Sequence, residues 1–534
     1  MSSDDTPVYQ FHKKHRWEVK LHMMSGITLM PWARFLWHYW RCVDWLVYPH
    51  RVFFLTFMSI LNTVLAIPDW FLYSQQIAAQ PLHPEPVIIL GHPRTGTTHL
   101  HNLLSLDPEF AFCNTFHAGF PSSFITLEPL QGLLSPLMEE RRPMDNMALS
   151  WGLPAEDEIA INVLSGGVSP YASLVLPREE ERSLRGFFSF MNTTSSDDDV
   201  SGGICTLSDA TSKEIKTGEV GQIGGIASTN HADGETNSYS SHQSRTHAIT
   251  ADGISQGTRS NFREGVRASA GTASRSASLH LERSFKVWQS CFLHFLKKVT
   301  FWHILKSRLN EGNTALRSLF HSGSTKRMAT DPTTTPVSSS CTRDSAAAAA
   351  AASSPPPSSG SKPLLIKSPV HTARIRLLLD MFPKARFIYI HRHPIDVFRS
   401  AAHMADTYYW YTYLQLPSNQ QVTEFILNQY EVLYKRYIED RRLVHSDQLH
   451  ELSFRDLEAD PITSLKEIYC KFGWLERFER LRPDFERYCF SLSDFKRNHF
   501  AQPLDPRLVS TIETRWSDSY SEFGYKKSNN DTPL

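Results

Sequence analysis

The sequence has no charge imbalance, few cysteines, no internal repeat and a single long uncharged apolar run. Each shortage removes a class of protein. Lys and Arg number 55, against 55 Asp and Glu. Zero net charge argues against a broad basic nucleic-acid binder and leaves room for a local anion pocket. The seven cysteines (Cys42, Cys113, Cys205, Cys291, Cys341, Cys470, Cys489) are odd in number and form no CxxC or CxxH pair. Neither a disulfide framework nor a zinc module is expected, and no metal site. The apolar run Val52–Pro68 reaches only 17 residues, the lower edge of a bilayer span, and Asn62 and Pro68 interrupt it. What is present suffices for a core: 41% of residues are hydrophobic and 12% aromatic, which excludes wholesale disorder.

Residues 1–80 read as an aromatic-rich helical extension. Trp17, Trp32, Trp37, Trp40, Trp45 and Trp70 lie here, and Lys13, Lys14, Arg16, Lys20, Arg34, Arg41 and Arg51 precede the apolar run. Aromatics and cations around an apolar helix suit a membrane interface. The alternative is a helical hairpin buried against the domain. Residues 81–525 form the main domain, with a short tail at 526–534. Two stretches, 192–278 and 307–361, are rich in Ser, Thr, Gly, Ala and Pro and show no apolar period. They read as disordered insertions, because they bury too little surface to offset their ordering entropy. Between them, Phe285, Trp288, Phe292, Phe295, Leu296 and Val299 recur at helical spacing.

The main domain alternates strands and helices. Val87–Leu90, Leu364–Lys367 and Phe387–His391 are short apolar runs, each followed by a helical pattern. The expectation is a P-loop-NTPase-like α/β fold, a parallel sheet flanked by helices. After the first strand comes Gly91-His92-Pro93-Arg94-Thr95-Gly96-Thr97-Thr98, opening a helix. Backbone N–H groups of such a loop, with the helix dipole behind them, bind phosphate or sulfate. The Gly91-x4-Gly96 spacing is that of a triphosphate loop, but the Lys expected next is Thr97. Arg94 supplies a guanidinium inside the loop instead.

PVIILGHPRTGTTHLHNLLSLDP resembles the 5′-phosphosulfate loop of the sulfotransferase superfamily, in the bacterial and lower-eukaryotic branch that carries PRTGTT. The resemblance implies 3′-phosphoadenosine 5′-phosphosulfate (PAPS) as donor, with no metal. It places Arg94 at the loop Lys of cytosolic sulfotransferases and Thr95, Gly96, Thr97 and Thr98 on the 5′-phosphate. FIYIHRHPIDVFRSAAHM resembles the 3′-phosphate motif through Arg392, Pro394, Val397 and Ser400. Lys496 and Arg497 resemble C-terminal family elements that reach the same phosphate.

LLIKSPVHTAR occupies the place of a Lys-Thr-His element in the cytosolic branch. By that resemblance Lys367 acts on the transferring group. Pro369 stands where the His belongs, and His371 follows two residues later. Imidazole near neutrality suits a general base. Glu156 and Glu158, in PAEDE, are rival bases, although acids after a Pro also suit a helix start.

The resulting expectation is transfer of a sulfuryl group from PAPS to a hydroxyl on a lipid, small molecule or carbohydrate. A P-loop kinase-like phosphotransferase and a non-catalytic membrane-associated nucleotide-binding scaffold are the rivals. If the apolar run spans, the enzyme is a single-pass Golgi-type membrane protein. If the run lies flat or is buried, it is cytoplasmic.

Overall fold

A computed structural model of the chain describes residues 7–134, 138–180, 184–190, 278–309, 361–493, 495, 498 and 503–527. The chain divides into a compact body, residues 1–193 and 281–534, and a unit over 194–280. The expected insertions fall almost wholly outside the described residues. Their outermost residues, 278 and 307–309, belong to a helix over 278–309.

Five strands form one parallel sheet: β1 (Val87–Leu90), β2 (Ala111–Phe112), β3 (Leu364–Lys367), β4 (Arg386–His391) and β5 (Leu449–Ser453). Their order is β2-β3-β1-β4-β5. In the register, Ile89 pairs with both Lys367 and Ile388. Three strands match the apolar runs of the sequence. β2 is two residues long and β5 (LHELS) carries charge at an edge, so neither produces an apolar run.

Alternate residues of each strand enter opposite cores. Ile88, Leu90, Ile366 and Tyr389 pack with Trp288, Phe292 and Phe295 of the helix over 278–309. Val87, Ile89, Leu365 and Ile390 pack against Leu100, Leu103 and Leu104 and the helices Phe454–Ala459 and Pro461–Lys471. Both faces are thus covered, as a parallel sheet requires. β1 has β3 on one side and β4 on the other. The strand order therefore reverses at β1, and the crevice beyond its C-terminal end is where such sheets bind ligands.

The apolar run lies within one helix, Pro49–Ala79, long and apolar enough to cross a membrane, with a mean hydropathy of 1.7 over its most apolar stretch. One side packs on the body through Val52, Leu55 and Ile77, together with the polar residues Arg51, Ser59, Asn62 and Asp69.

Candidate active site

β1 runs into the loop and the helix Thr97–Leu104 begins at once. Gly96 caps this helix at φ 98°. A Cβ there would meet the Phe454 ring at 2.2 Å. Left-handed backbone and tight approach both require glycine. Gly96→Ala is therefore expected to cost about 1–3 kcal/mol in urea unfolding and to spoil the loop for anions. Arg94 also has positive φ, 78°, a strained value for a side-chain-bearing residue. The loop is tied to the sheet by Thr372, whose hydroxyl accepts from Gly91 N at 2.8 Å and donates to Gly91 O at 3.0 Å.

The two motifs expected to hold phosphate meet in space. Arg94 Nε donates to Ser400 Oγ at 3.0 Å, although 306 positions separate them. Arg392 reaches back to the Arg94 carbonyl at 3.3 Å and lies over the Phe454 ring. Arg94 also pairs with Asp145 at 2.9 Å, and Arg142 sits 3.5 Å from the same carboxylate. Burial alone would raise Asp145, but the Arg142 and Arg94 guanidinia hold it below the carboxylate range. Lys496 and Arg497 lie outside the described residues. Asn498, next to them, donates to the Met144 carbonyl.

A second cluster forms across β1 and β3. Lys367, almost fully buried, pairs with Glu156 at 2.8 Å and donates to Thr98 Oγ1 at 3.3 Å. The loop's missing lysine is thus met in space by one from the neighbouring strand. Tyr171 donates its hydroxyl to the other Glu156 oxygen. Burial would raise Glu156, yet Lys367, followed by Tyr171, brings it below the ordinary carboxylate range.

Lys367, Glu156, Thr98 and Tyr171 stand in the wall of a cavity of about 270 Å³. The remaining wall is mostly apolar and includes Met23, Met144, Met147, Met404, Leu149 and Leu153. Methionines adapt to irregular apolar shapes.

His371 and Glu158 are placed elsewhere. His371 is fully buried in the turn Pro369–Ala373 and donates from Nε2 to Asp157 at 2.7 Å; it is not in the cavity wall. Glu158 is fully buried against Arg374, 2.8 Å away, with Ser169 Oγ and Trp288 Nε1 also donating to it. Donor atoms of Asp157, Glu158 and His371 all lie within 4.8 Å of one another. Their oxygens are already engaged by Ser368, Ser169, Trp288 and Arg374, so the group reads as a structural network. Removing one member of a buried ion pair leaves an uncompensated charge. Arg374→Met is expected to cost about 3–5 kcal/mol in urea unfolding, and adding Glu158→Gln should recover part of that.

Sequence reasoning passed over Asp145, Arg142 and Tyr171 as individual residues. Asp145 and Tyr171 lie in the stretches MDNMALS and SPYASLV, and only the fold brings them to Arg94 and Glu156.

The fold and site define a class: an α/β protein with a glycine-containing loop at its switch strand, beside an apolar cavity. A model of the sulfotransferase family matches residues 86–148 and 269–476, about half of the chain. The chain belongs to that family. It is 21% identical over 482 residues to the omega-hydroxy-beta-dihydromenaquinone-9 sulfotransferase Stf3 of Mycobacterium bovis and of Mycobacterium tuberculosis, covering 90% of this chain and 85% of the relative. Among solved structures it is similar to sulfotransferase STF1 from Mycobacterium tuberculosis (12% identity, TM-score 0.41, 92% of this chain and 88% of that one). It is also similar to STF9 from Mycobacterium avium (13%, TM-score 0.42, 87% and 83%).

Proposed function

We propose that the chain transfers a sulfuryl group from PAPS to the hydroxyl of an apolar, lipid-like acceptor at a membrane. One observation carries this reading: the Lys367–Glu156 pair sits where the anion loop, through Thr98, meets the apolar cavity. The relative's name, a sulfotransferase of a hydroxylated menaquinone, agrees with a lipid alcohol.

In this reading Arg392 and Ser400 hold the donor's 3′-phosphate, together with Lys496 and Arg497, while Arg94, on the 5′-phosphosulfate loop, joins Lys367 in balancing charge on the leaving 5′-phosphate. The loop from Thr95 to Thr98 holds the 5′-phosphate through backbone N–H groups. The acceptor oxygen attacks sulfur in line, the bond from sulfur to the bridging oxygen breaks, and the 5′-phosphate leaves. Lys367 balances charge on that leaving group, and Glu156 takes the acceptor proton. As Lys367 turns toward the phosphate, its hold on Glu156 weakens and the carboxylate becomes a stronger base. His371 and Glu158 support Glu156 from behind through Asp157 and Arg374.

The test is titration with adenosine 3′,5′-bisphosphate against ATP with magnesium. The bisphosphate is expected to bind, and Arg94→Ala to weaken it about 10- to 100-fold, the worth of a charge-assisted hydrogen bond. ATP binding without bisphosphate binding would favour the phosphotransferase. Bisphosphate binding without transfer to any offered hydroxyl would favour the scaffold.

A further inference from the structure

We propose that the chain docks on an anionic bilayer through the outer face of helix Pro49–Ala79, which lies in the plane of the membrane instead of crossing it. The inner face is committed to the body along its length. Arg51 donates to the carbonyls of His15, Trp410 and Tyr413 at 2.7 Å each. Asn62 donates to the carbonyls of Ser25 and Ile27. Asp69 accepts from the backbone of Ile125 and Thr126 and pairs with buried Lys298 at 2.8 Å. Lys297 reaches the Ala78 carbonyl at 2.9 Å. Arg51 and Asp69 are about 27 Å apart along a helix, close to the thickness of a bilayer core of about 30 Å. A spanning helix would carry these polar anchors into lipid, where none of their partners follows.

The outer face is the reverse. Phe53, Phe57, Ile60, Val64, Ile67 and Phe71 follow one another at spacings of four and three, and all are exposed, Phe53 at 73% and Phe71 at 77%. In the preceding segment Trp37 (83%) and Leu46 (94%) are exposed as well. A contiguous exposed patch of this kind marks an interaction surface. The charges beside it select the partner. Between residues 7 and 41 stand Lys13, Arg16, Lys20, Arg34 and Arg41, with Glu18 the single carboxylate of the segment, while Lys14 is paired with Asp406 of the body at 2.7 Å. Arg16 and Arg41 lie over the rings of Trp17 and Trp40, at 5.1 and 5.5 Å. Cations and tryptophans beside an apolar helix face match the headgroup layer of anionic lipid. In-plane docking leaves the whole chain on one side of the bilayer, as the cytoplasmic alternative requires.

The same segment touches the cavity. Leu21 and Met23, directly after Lys20, stand in its wall. If the cavity is the acceptor site, as proposed above, the basic N-terminal segment forms part of its wall.

The test is flotation of the full chain with sealed vesicles of phosphatidylcholine, with and without phosphatidylglycerol. The chain should float with the anionic vesicles and several-fold less with the neutral ones. The triple variant Phe57→Glu, Val64→Glu, Phe71→Glu should float at least tenfold less and still bind adenosine 3′,5′-bisphosphate as the unmodified chain does. Cysteines introduced by Lys20→Cys and Gln76→Cys should both react with an impermeant maleimide from outside, above the labelling of the native cysteines. The proposal fails if the chain stays unfloated or if the triple variant floats unchanged. It fails if only one of the two cysteines reacts, which means spanning, or if the substitutions dissociate a soluble dimer, which means the face covers a second copy. None of these readouts depends on sulfuryl transfer, so the docking and the catalytic reading can fail separately.

Discussion

Glu156→Gln is expected to lower kcat for sulfuryl transfer by about 10²–10⁴-fold, the usual worth of a positioned general base. The amide keeps the shape of the side chain: its oxygen can accept from Lys367 while its NH2 donates to the Tyr171 hydroxyl, and urea unfolding measures the cost of leaving Lys367 without a counter-charge. Bisphosphate affinity should be no weaker, because a negative charge beside the phosphate loop is removed. Unchanged binding with lost turnover separates a role in chemistry from a role in assembly. The pH profile gives a second, independent reading. A group held below its ordinary pKa is ionised above that lowered value and protonates only as pH falls through it. Lys367 and Tyr171 hold Glu156 below the carboxylate range. In the free enzyme kcat/KM should therefore stay flat through neutrality and fall only on strong acidification. An imidazole base would give an acid limb near pH ~6.5 instead.

Lys367→Met should lower kcat by about 10²–10³-fold, as loss of one preorganised donor to developing charge does. The substitution also leaves Glu156 without its cation in a partly buried place, so stability must be measured alongside. Lys367→Met combined with Glu156→Gln removes that unpaired charge. The double variant should regain stability yet stay as inactive as the worse single one, because residues acting in one step are not additive. Recovery of activity in the double variant would show that Lys367 serves only to neutralise Glu156.

Much of this could be read before any coordinates. The strands around the site are short apolar runs, and the loop between β1 and its helix combines the Gly-x4-Gly spacing of a triphosphate loop with Arg94 inside it. What the sequence withheld was direction. Glu156, Asp157 and Glu158 are consecutive, and only the start of the helix Asp157–Ser165 decides which faces the cavity. Glu156 caps it from outside, while Asp157 and Glu158 turn inward to His371 and Arg374. The Lys367–Glu156 pair joins residues 211 positions apart, a contact no local pattern encodes. His371 drew attention for its chemistry, but burial in a tight turn gives it to Asp157. The N-terminal helix shows the opposite case. Asn62 and Pro68 looked like flaws in a membrane span, yet Asn62 is an anchor to the body.

The most direct measurement is transfer of label from sulfur-labelled PAPS to a long-chain isoprenoid alcohol in vesicles. The unmodified chain should move label into the lipid phase, and Glu156→Gln should not, with both binding adenosine 3′,5′-bisphosphate. Failure to label any lipid, steroid or glycan hydroxyl while the bisphosphate binds, or full transfer by Glu156→Gln, would contradict this account.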